Sequence, residues 1–538
     1  IGTDGYIDRA SVDLYSFYAQ GGYFADNTSV KFITFGGKEK TYHAWNYATK
    51  EEMKKYGRRF NSCGMYTDDD GHIRFYKDQT DNYLQMNYQL LLNHTFSAAW
   101  NLNAALHYTK GDGYYQEYKE DRSLKEYRLH PFMYDGKEVE KSDLIRQKKM
   151  DNHFGGGVFS VNYRNEKLDA SLGGALNYYD GWHFGRVIWV KNYIGELLPD
   201  HEYYRNKAKK TDGNLYLKAN YNLVAGLNAY ADLQYRYINY KIHGDNDKYD
   251  YNTDGLQKLA VNDHFNFFNP KAGLNWDIDS NNRVYASFSV AQKEPTRNNY
   301  TDGNADEYPK AEKLYDYELG YTYRNTWLSA GVNFYYMDYK DQLVLTGELN
   351  EIGEAMARNV PDSYRTGVEL MLGVKPCRWF QWDINGTLSK NRVKNFTEKL
   401  YEDEWKNPIE VEHGNTPIAF SPDFILNNRF SFSHKGFEAA LQSQYVSKQY
   451  MSNAKQAEQT LDAYFVSNLN LAYTFQLRHV KSVTVGFTIY NLFNEKYENN
   501  GYAGSGYTLK DGKPERYNYA GYAAQAGTNV MGNISIRF

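Results

Sequence analysis

The feature that most restricts this chain is a period-two alternation sustained over segments of about ten residues or more, which sends successive side chains to opposite faces of a strand. Val483, Val485, Phe487 and Ile489 make one wholly apolar face, while Ser482, Thr484, Gly486 and Thr488 between them are small or polar. Phe380, Trp382, Ile384, Gly386 and Leu388 alternate in the same way with Gln381, Asp383, Asn385, Thr387 and Ser389. So do Leu328, Ala330, Val332, Phe334 and Tyr336 with Ser329, Gly331, Asn333 and Tyr335. A soluble sandwich also alternates, but its strands average about five or six residues and its outer face is charged. Longer strands whose polar face carries Asn, Ser, Thr, Gly and Gln suit lipid on one side and a wet lumen on the other. The expected fold is therefore all-β, a transmembrane antiparallel β-barrel. Phe487, Leu471, Ile384 and Val332 are predicted to face lipid, and Ser482, Asn470, Asp383 and Asn333 the lumen.

Composition removes the competing classes. The chain has 538 residues with 54 Tyr, 28 Phe and 9 Trp, so 17% of it is aromatic, far from the aromatic-poor make-up of disordered chains. No run of 18 apolar residues exists to cross a bilayer as a helix. A net charge of -4 leaves no basic footprint for nucleic acid. Two cysteines, Cys63 and Cys377, are too few for a disulfide framework. Gly-x-Ser-x-Gly, His-Glu-x-x-His and phosphate-cradling glycine loops are all missing, so no enzymatic activity is expected.

Connections alternate between short and long. Short turns are predicted near Ala25-Asn27, Ser97-Trp100, Asn165-Lys167, Ala225-Leu227, Ser280-Asn282, Arg324-Thr326, Pro376-Arg378, Lys435-Gly436 and Leu477-Lys481. Long links are predicted near 37-81, 116-147, 180-208, 244-262, 294-312, 345-357, 396-417 and 499-523. Outer-membrane barrels have this asymmetry, with tight periplasmic turns and long extracellular loops. Roughly nineteen strands follow, the first near Ser11-Phe24 and the last near Ala524-Phe538. Single-chain bacterial barrels close with an even number. With no signal-like n-region or h-region at Ile1, the odd count leads to the expectation of a mature chain or a fragment that lacks N-terminal material. On this scheme Cys63 lies outside and Cys377 at a periplasmic turn, too far apart to pair.

Several blocks resemble one family. The last strand ends Val530-Met-Gly-Asn-Ile-Ser-Ile-Arg-Phe538, and upstream lie the alternating Leu461-Phe475 segment and Tyr490-Asn-Leu-Phe-Asn-Glu-Lys-Tyr497. These are similar to the closing signatures of TonB-dependent receptors. Pro309-Lys-Ala-Glu-Lys-Leu-Tyr-Asp-Tyr-Glu-Leu-Gly-Tyr321, Phe334-Tyr-Tyr-Met-Asp-Tyr-Lys-Asp341 and Tyr364-Arg-Thr-Gly-Val-Glu-Leu370 resemble the same family. Asp4-Gly-Tyr-Ile-Asp8 and Phe35-Gly-Gly-Lys-Glu-Lys-Thr-Tyr42 resemble versions common in Bacteroidetes receptors. The resemblance implies a 22-stranded barrel around an N-terminal plug, in the outer membrane of a Gram-negative bacterium. It further implies that the TonB-ExbB-ExbD complex drives import by acting on the plug. Residues 1-538 would then be the β-barrel domain, holding strands four to twenty-two and lacking the plug. The partners expected are that complex, outer-membrane lipid, a ferric chelate and a surface lipoprotein.

The long links carry the candidate ligand groups. Trp182, His183 and Arg186 are expected within one turn region, where Arg186 would pair with a carboxylate or catecholate oxygen and Trp182 would stack on a flat ligand. Tyr114 and Tyr115, Arg297 and Tyr300, Trp405, and Tyr502, Tyr507, Arg516, Tyr517 and Tyr519 form similar aromatic and basic groups. The competing explanation is anchoring, because barrels carry aromatic girdles at both interfaces. Asp250-Tyr-Asn-Thr-Asp-Gly255 matches the first half of a calcium loop, with Asp250, Asn252 and Asp254 as oxygen ligands. Position twelve is Val261 in place of the bidentate Glu, so a solvated acidic loop competes with Ca2+ binding there. No cofactor is required. The function expected is import of a scarce nutrient, a ferric siderophore or other iron chelate. Cobalamin or haem uptake is the alternative substrate reading, and a passive porin or an adhesin the alternative in class.

Overall fold

The computed structural model describes residues 1-197, 201-251, 253-302, 308-350, 353-402 and 406-538. They fall into two compact units. The first comprises Ile1–Asn46, Arg59–Asn220 and Asp232–Asn269; the second comprises Tyr47–Arg58, Tyr221–Ala231 and Pro270–Phe538.

In the first unit, strands Ser11–Phe24, Thr28–Tyr42, Thr80–Thr95, Trp100–Ser123, Lys141–Arg164 and Leu168–Val190 pair antiparallel, each with the next in the chain. The second unit is likewise an antiparallel meander, running from Asn282–Lys293 through Glu312–Arg324, Leu328–Leu349, Ala355–Cys377 and Phe380–Glu402. It goes on through Phe424–His434, Phe437–Val446, Tyr464–Leu477, Val480–Tyr490 and Asn529–Arg537. The tight turns fall where the sequence placed them, and their chemistry is repeated. Asn165, Asp279 and Asn325 each accept two following backbone amides at 2.7–3.0 Å, closing the turn with a side chain. The two-residue turn at Lys435 and Gly436 has φ of 49° and 82°, the doubly left-handed pair that matches strand twist.

The alternation resolves into two chemically different faces. Leu319, Phe334, Leu370, Leu388, Phe487 and Ile534 stand 49–71% exposed on one face of the second unit. The other face is a lattice of polar side chains. Asn333 donates to Glu369, Gln381 to Asp383, Asn427 to Asn385 and Thr488 to Asn470, and Ser443 meets Ser467. In the first unit Leu106, Leu172, Leu176 and Tyr178 carry the same exposed apolar face. Rows of large apolar groups left uncovered are a surface made for a hydrocarbon neighbour.

The predicted long links are corrected in part. Residues 116-147 and 180-208 are mostly strand, because Trp100–Ser123, Lys141–Arg164 and His201–Val224 run 24 residues and Leu168–Val190 runs 23. Leu227–Asp250 is also 24 residues long, and 499-523 is a hairpin of Glu498–Lys510 and Lys513–Ala524. At about 3.3 Å per residue such strands are roughly three times the height of an apolar membrane band of about 25 Å. Beyond that band neither face meets lipid and polar and apolar residues are buried together, so the ladder continues while the alternation that reveals it stops.

Candidate functional site

Strand extension changes where the predicted ligand groups point. Trp182, His183 and Arg186 lie inside the strand Leu168–Val190, opposite Asp151, Met150 and Gln147, and not in a turn. The pleat puts Trp182 and Arg186 on the face of Leu172, Leu176 and Tyr178. His183 points to the other face. Trp182 is flanked by two cations, Arg205 at 5.2 Å and Lys207 at 4.6 Å from its ring, and Arg186 sits 5.2 Å over Phe184. The turn-region grouping is thus replaced by a basic aromatic strip continuing the exposed apolar face, with His183 behind it.

Tyr114 and Tyr115 are separated for the same reason. Tyr114 faces Lys149 at 5.3 Å, whereas Tyr115 turns to the opposite face and joins His43 and Trp45. His43 stacks on Trp45 at 3.7 Å and is 2% exposed. On the same face Glu117 accepts two bonds from Arg146 at 2.8 and 3.0 Å, with both side chains 2–3% exposed, and Lys148 lies 5.7 Å over Tyr115.

Burial pushes the His43 imidazole down to about 4, against the opposing pull of Glu117. Its folded form therefore stays neutral between about pH 4 and 6.5, where an opened segment takes up a proton. Stability held by this cluster is expected to fall as the pH drops through that window, by about 2 kcal/mol at pH 5. Amide exchange across 42-46 at pH 7 and pH 5 measures it. His43→Phe should abolish the difference, and an unchanged pH effect in that variant would remove the assignment.

The second unit contains a cavity of about 480 Å³, within the usual range for small-molecule sites. Strands Leu328–Leu349, Ala355–Cys377 and Phe380–Glu402 supply Val344, Arg358, Val360, Val393 and Phe396 to its wall. Val344, Val360 and Val393 are 1–5% exposed and form the apolar part. Amide side chains tie down the segments beside it, Asn453 in the lining and Gln459 behind it. Asn453 donates to the Leu345 carbonyl at 2.8 Å and accepts from the Ala419 amide, and Gln459 donates to the Gly504 carbonyl at 2.6 Å. Charge enters from Arg358, 3.9 Å from Glu348, and from Glu398, which accepts two bonds from Arg516 at 2.6 and 2.9 Å and lies 2.8 Å from His413.

Gly347, beside this wall, has a φ of 100°, and an added Cβ would stand 2.9 Å from the Ala503 carbonyl and closer still to that of Met451. Three segments meet there because no side chain intervenes. Gly347→Ala is expected to cost about 1–3 kcal/mol through backbone strain and crowding. Faster proteolysis of the 498-524 hairpin would report it, and wild-type resistance would count against this packing.

The remaining predicted residues are placed as follows. Arg297 and Tyr300 lie in the short helix Arg297–Thr301, whose Tyr300 is buried and meets Tyr308 of the cavity wall at 5.6 Å. Tyr507 is 3% exposed and donates its hydroxyl to the Asn407 carbonyl. Tyr517 covers Gly506 and Tyr519 covers Gly504, so these tyrosines fill the hairpin's glycine positions. Trp405 and Asn252 lie outside the described residues. Of the acidic loop, Asp254 accepts from Lys125 at 3.0 Å and Tyr249 at 2.7 Å, and Asp250 from Thr253 at 3.0 Å. Cys63 is buried and Cys377 partly so, both as free thiols. Arg358, Phe396, Glu398 and Asn453 were not foreseen, since they converge from distant strands without a local motif.

Residues 13–492 match the sequence family described as "TonB dependent receptor-like, beta-barrel". The pesticin receptor of Yersinia enterocolitica is 24% identical over 225 residues, 41% of this chain, and the matched stretch spans 30% of that receptor's length. The siderophore receptor PiuA from Acinetobacter baumannii superposes with a TM-score of 0.69 at 11% identity, covering 99% of this chain and 75% of PiuA. The ferric yersiniabactin uptake receptor FyuA from Yersinia pestis gives a TM-score of 0.66 at 14% identity, covering 100% of this chain and 74% of FyuA. At such identities the likeness concerns the fold.

Proposed function

Because the chain belongs to the family of TonB-dependent receptor-like β-barrels, we propose that it is the barrel of a receptor importing a ferric siderophore or other iron chelate across the outer membrane of a Gram-negative bacterium. The reading is of a Bacteroidetes-type receptor with 22 strands in the full protein and about 19 in this chain. A plug N-terminal to Ile1 would couple it to the TonB-ExbB-ExbD complex. A surface lipoprotein is a further partner in this proposal.

The observation that carries the proposal is the cavity of the second unit, whose valine and phenylalanine wall meets Arg358. An iron chelate built from catecholates or carboxylates combines flat apolar rings with negative charge, and that wall complements both. His183 and Tyr115, on the polar face of the first unit, are ligand candidates in the same reading. Trp182 and Arg186 serve as anchors, since they share the face of Leu176 and Tyr178. The acidic loop at Asp250 and Asp254 needs no Ca2+ in this account, since Lys125 already neutralises Asp254.

Fluorescence-quenching titration of the intact receptor with ferric catecholate, ferric hydroxycarboxylate and corrin ligands tests the proposal. One ferric chelate should bind, and Arg358→Ala should weaken it by about 1.5–3 kcal/mol if a charged hydrogen bond is lost, with the loss shrinking at high salt. Trp182→Ala should lower barrel stability and leave affinity unchanged. Affinity for a corrin alone would favour cobalamin uptake.

A further inference from the structure

An asparagine side chain is most open to attack by the next backbone nitrogen when glycine follows it, because glycine puts no Cβ in the way. The chain has two such pairs, Asn385-Gly386 and Asn500-Gly501. Both asparagines are exposed, so accessibility does not separate them. Backbone restraint does. Asn385 sits in a ladder with partners on both sides, Met371 and Asn427, and its Oδ1 accepts from Asn427 at 3.1 Å. Asn500 lies in the hairpin of Glu498–Lys510 and Lys513–Ala524, a sheet of two strands, where the register slips. Glu498 stands opposite Ala524 and Asn500 opposite Ala523, so Asn499 is the extra residue of a bulge.

At this bulge the Asn500 side chain folds back onto its own backbone. The Gly501 amide donates to Asn500 Oδ1 at 2.9 Å, and Cγ is one bond from that oxygen. The nitrogen is therefore beside the carbon it would attack; such reactions start from contacts of about 3–3.5 Å. The surroundings keep any side chain off residue 501, since an added Cβ would stand 2.5 Å from both Met451 Sδ and the Gly521 carbonyl oxygen.

We propose that Asn500 is a site of spontaneous covalent modification in the folded protein. The Gly501 nitrogen gives up its proton to water and bonds to Cγ, and the Cγ–Nδ2 bond breaks to release ammonia, leaving a cyclic imide. Water then cleaves the imide at Cγ, leaving aspartate, or at the main-chain carbonyl, leaving isoaspartate with one more carbon in the backbone. The sum consumes one water and releases one ammonia, with no change of oxidation state. The root of the hairpin is altered by either product. Asn500 Nδ2 donates to the Tyr47 hydroxyl at 3.3 Å, near the ion pair of Arg58 with Glu498 and the bond from the Tyr522 amide to the Ala48 carbonyl at 2.8 Å. Aspartate adds negative charge two residues from Glu498. The lengthened backbone of isoaspartate displaces the strand that brings Gly504 and Ser505 to the cavity wall. The hairpin is thereby loosened from the Tyr47–Arg58 segment, whatever the barrel transports.

The test incubates the full receptor in detergent at mildly alkaline pH in heavy-oxygen water and sequences its peptides by mass spectrometry. Heavy oxygen should enter at residue 500, as aspartate and isoaspartate, at least about tenfold faster than at Asn385. In receptor unfolded with guanidinium chloride the two rates should converge, since neither pair then keeps its fold. Trypsin should cut the 498-524 hairpin of the aged protein faster than that of the fresh one. Aged N500Q, whose longer side chain closes a ring far more slowly, should keep the resistance of fresh protein. Should N500Q fail to fold, fresh and aged wild type supply the comparison. Conversion at Asn385 as fast as at Asn500 in the folded receptor, no conversion at Asn500, or unchanged cleavage after full conversion would each overturn the proposal.

Discussion

Val485→Arg is expected to destabilise the folded, inserted protein by about 2–4 kcal/mol, the cost of a cation near the middle of a lipid-facing strand. Val485 lies opposite Tyr473 on one side and Ile534 on the other, both exposed, on the face that also carries Phe487. Thr484, one residue earlier, faces Thr474 with hydroxyl oxygens 2.8 Å apart and lies opposite Ser535. Thr484→Arg can extend into water along the polar face and should cost less than about 1 kcal/mol. Denaturant unfolding of both variants in the same bilayer reads the difference directly. Equal costs, or a larger cost at Thr484, would mean that the faces are assigned the wrong way round, because a slip of one residue inverts every side chain in a strand.

The second large effect is expected at the pair of Arg146 and Glu117. Their side chains are 3% and 2% exposed, and Arg146 also reaches the Tyr127 hydroxyl at 3.4 Å, within the cluster of Leu124, Leu144, Val187 and Tyr203. Arg146→Met leaves Glu117 in that interior with only Lys119, at 3.2 Å, and the nearby Lys148 to offset its charge, and should cost about 3–5 kcal/mol. Removing both charges, as Arg146→Met with Glu117→Leu, should recover most of the loss, since two buried charges then no longer need compensation. Amide exchange in strands Trp100–Ser123 and Lys141–Arg164 distinguishes the variants. A double variant as unstable as the single one would show that the pair matters through shape and not charge.

How far the sequence disclosed this architecture depended on the solvent each segment meets. Where one face meets lipid, as from Phe380 to Leu388, alternation is enforced and both the strand and its facing residues were legible. Where neither face meets lipid, as from Lys110 to Ser123, polar residues such as Glu117 are buried among apolar ones and no alternation separates strand from loop, so the extension looks like a link. The tight turns were legible because Asn165, Asp279, Asn325 and the Lys435-Gly436 pair carry specific turn chemistry. The site was the least visible part. Trp182, His183 and Arg186 looked like one cluster because they are close in sequence, but a strand divides such neighbours between two faces. The cavity groups Val344, Arg358, Phe396 and Asn453 are far apart in sequence and meet only through strand order and the 450-461 segment.

The central claim is energised import of an iron chelate, and radioactive iron uptake by cells carrying the full-length receptor tests it most directly. Uptake of one ferric chelate should saturate, should stop when the TonB complex is removed or the proton gradient is collapsed, and should fall with Arg358→Ala at equal receptor abundance in the membrane. Non-saturable uptake that continues without TonB and extends to uncharged solutes of similar size would contradict the account and identify a passive pore instead.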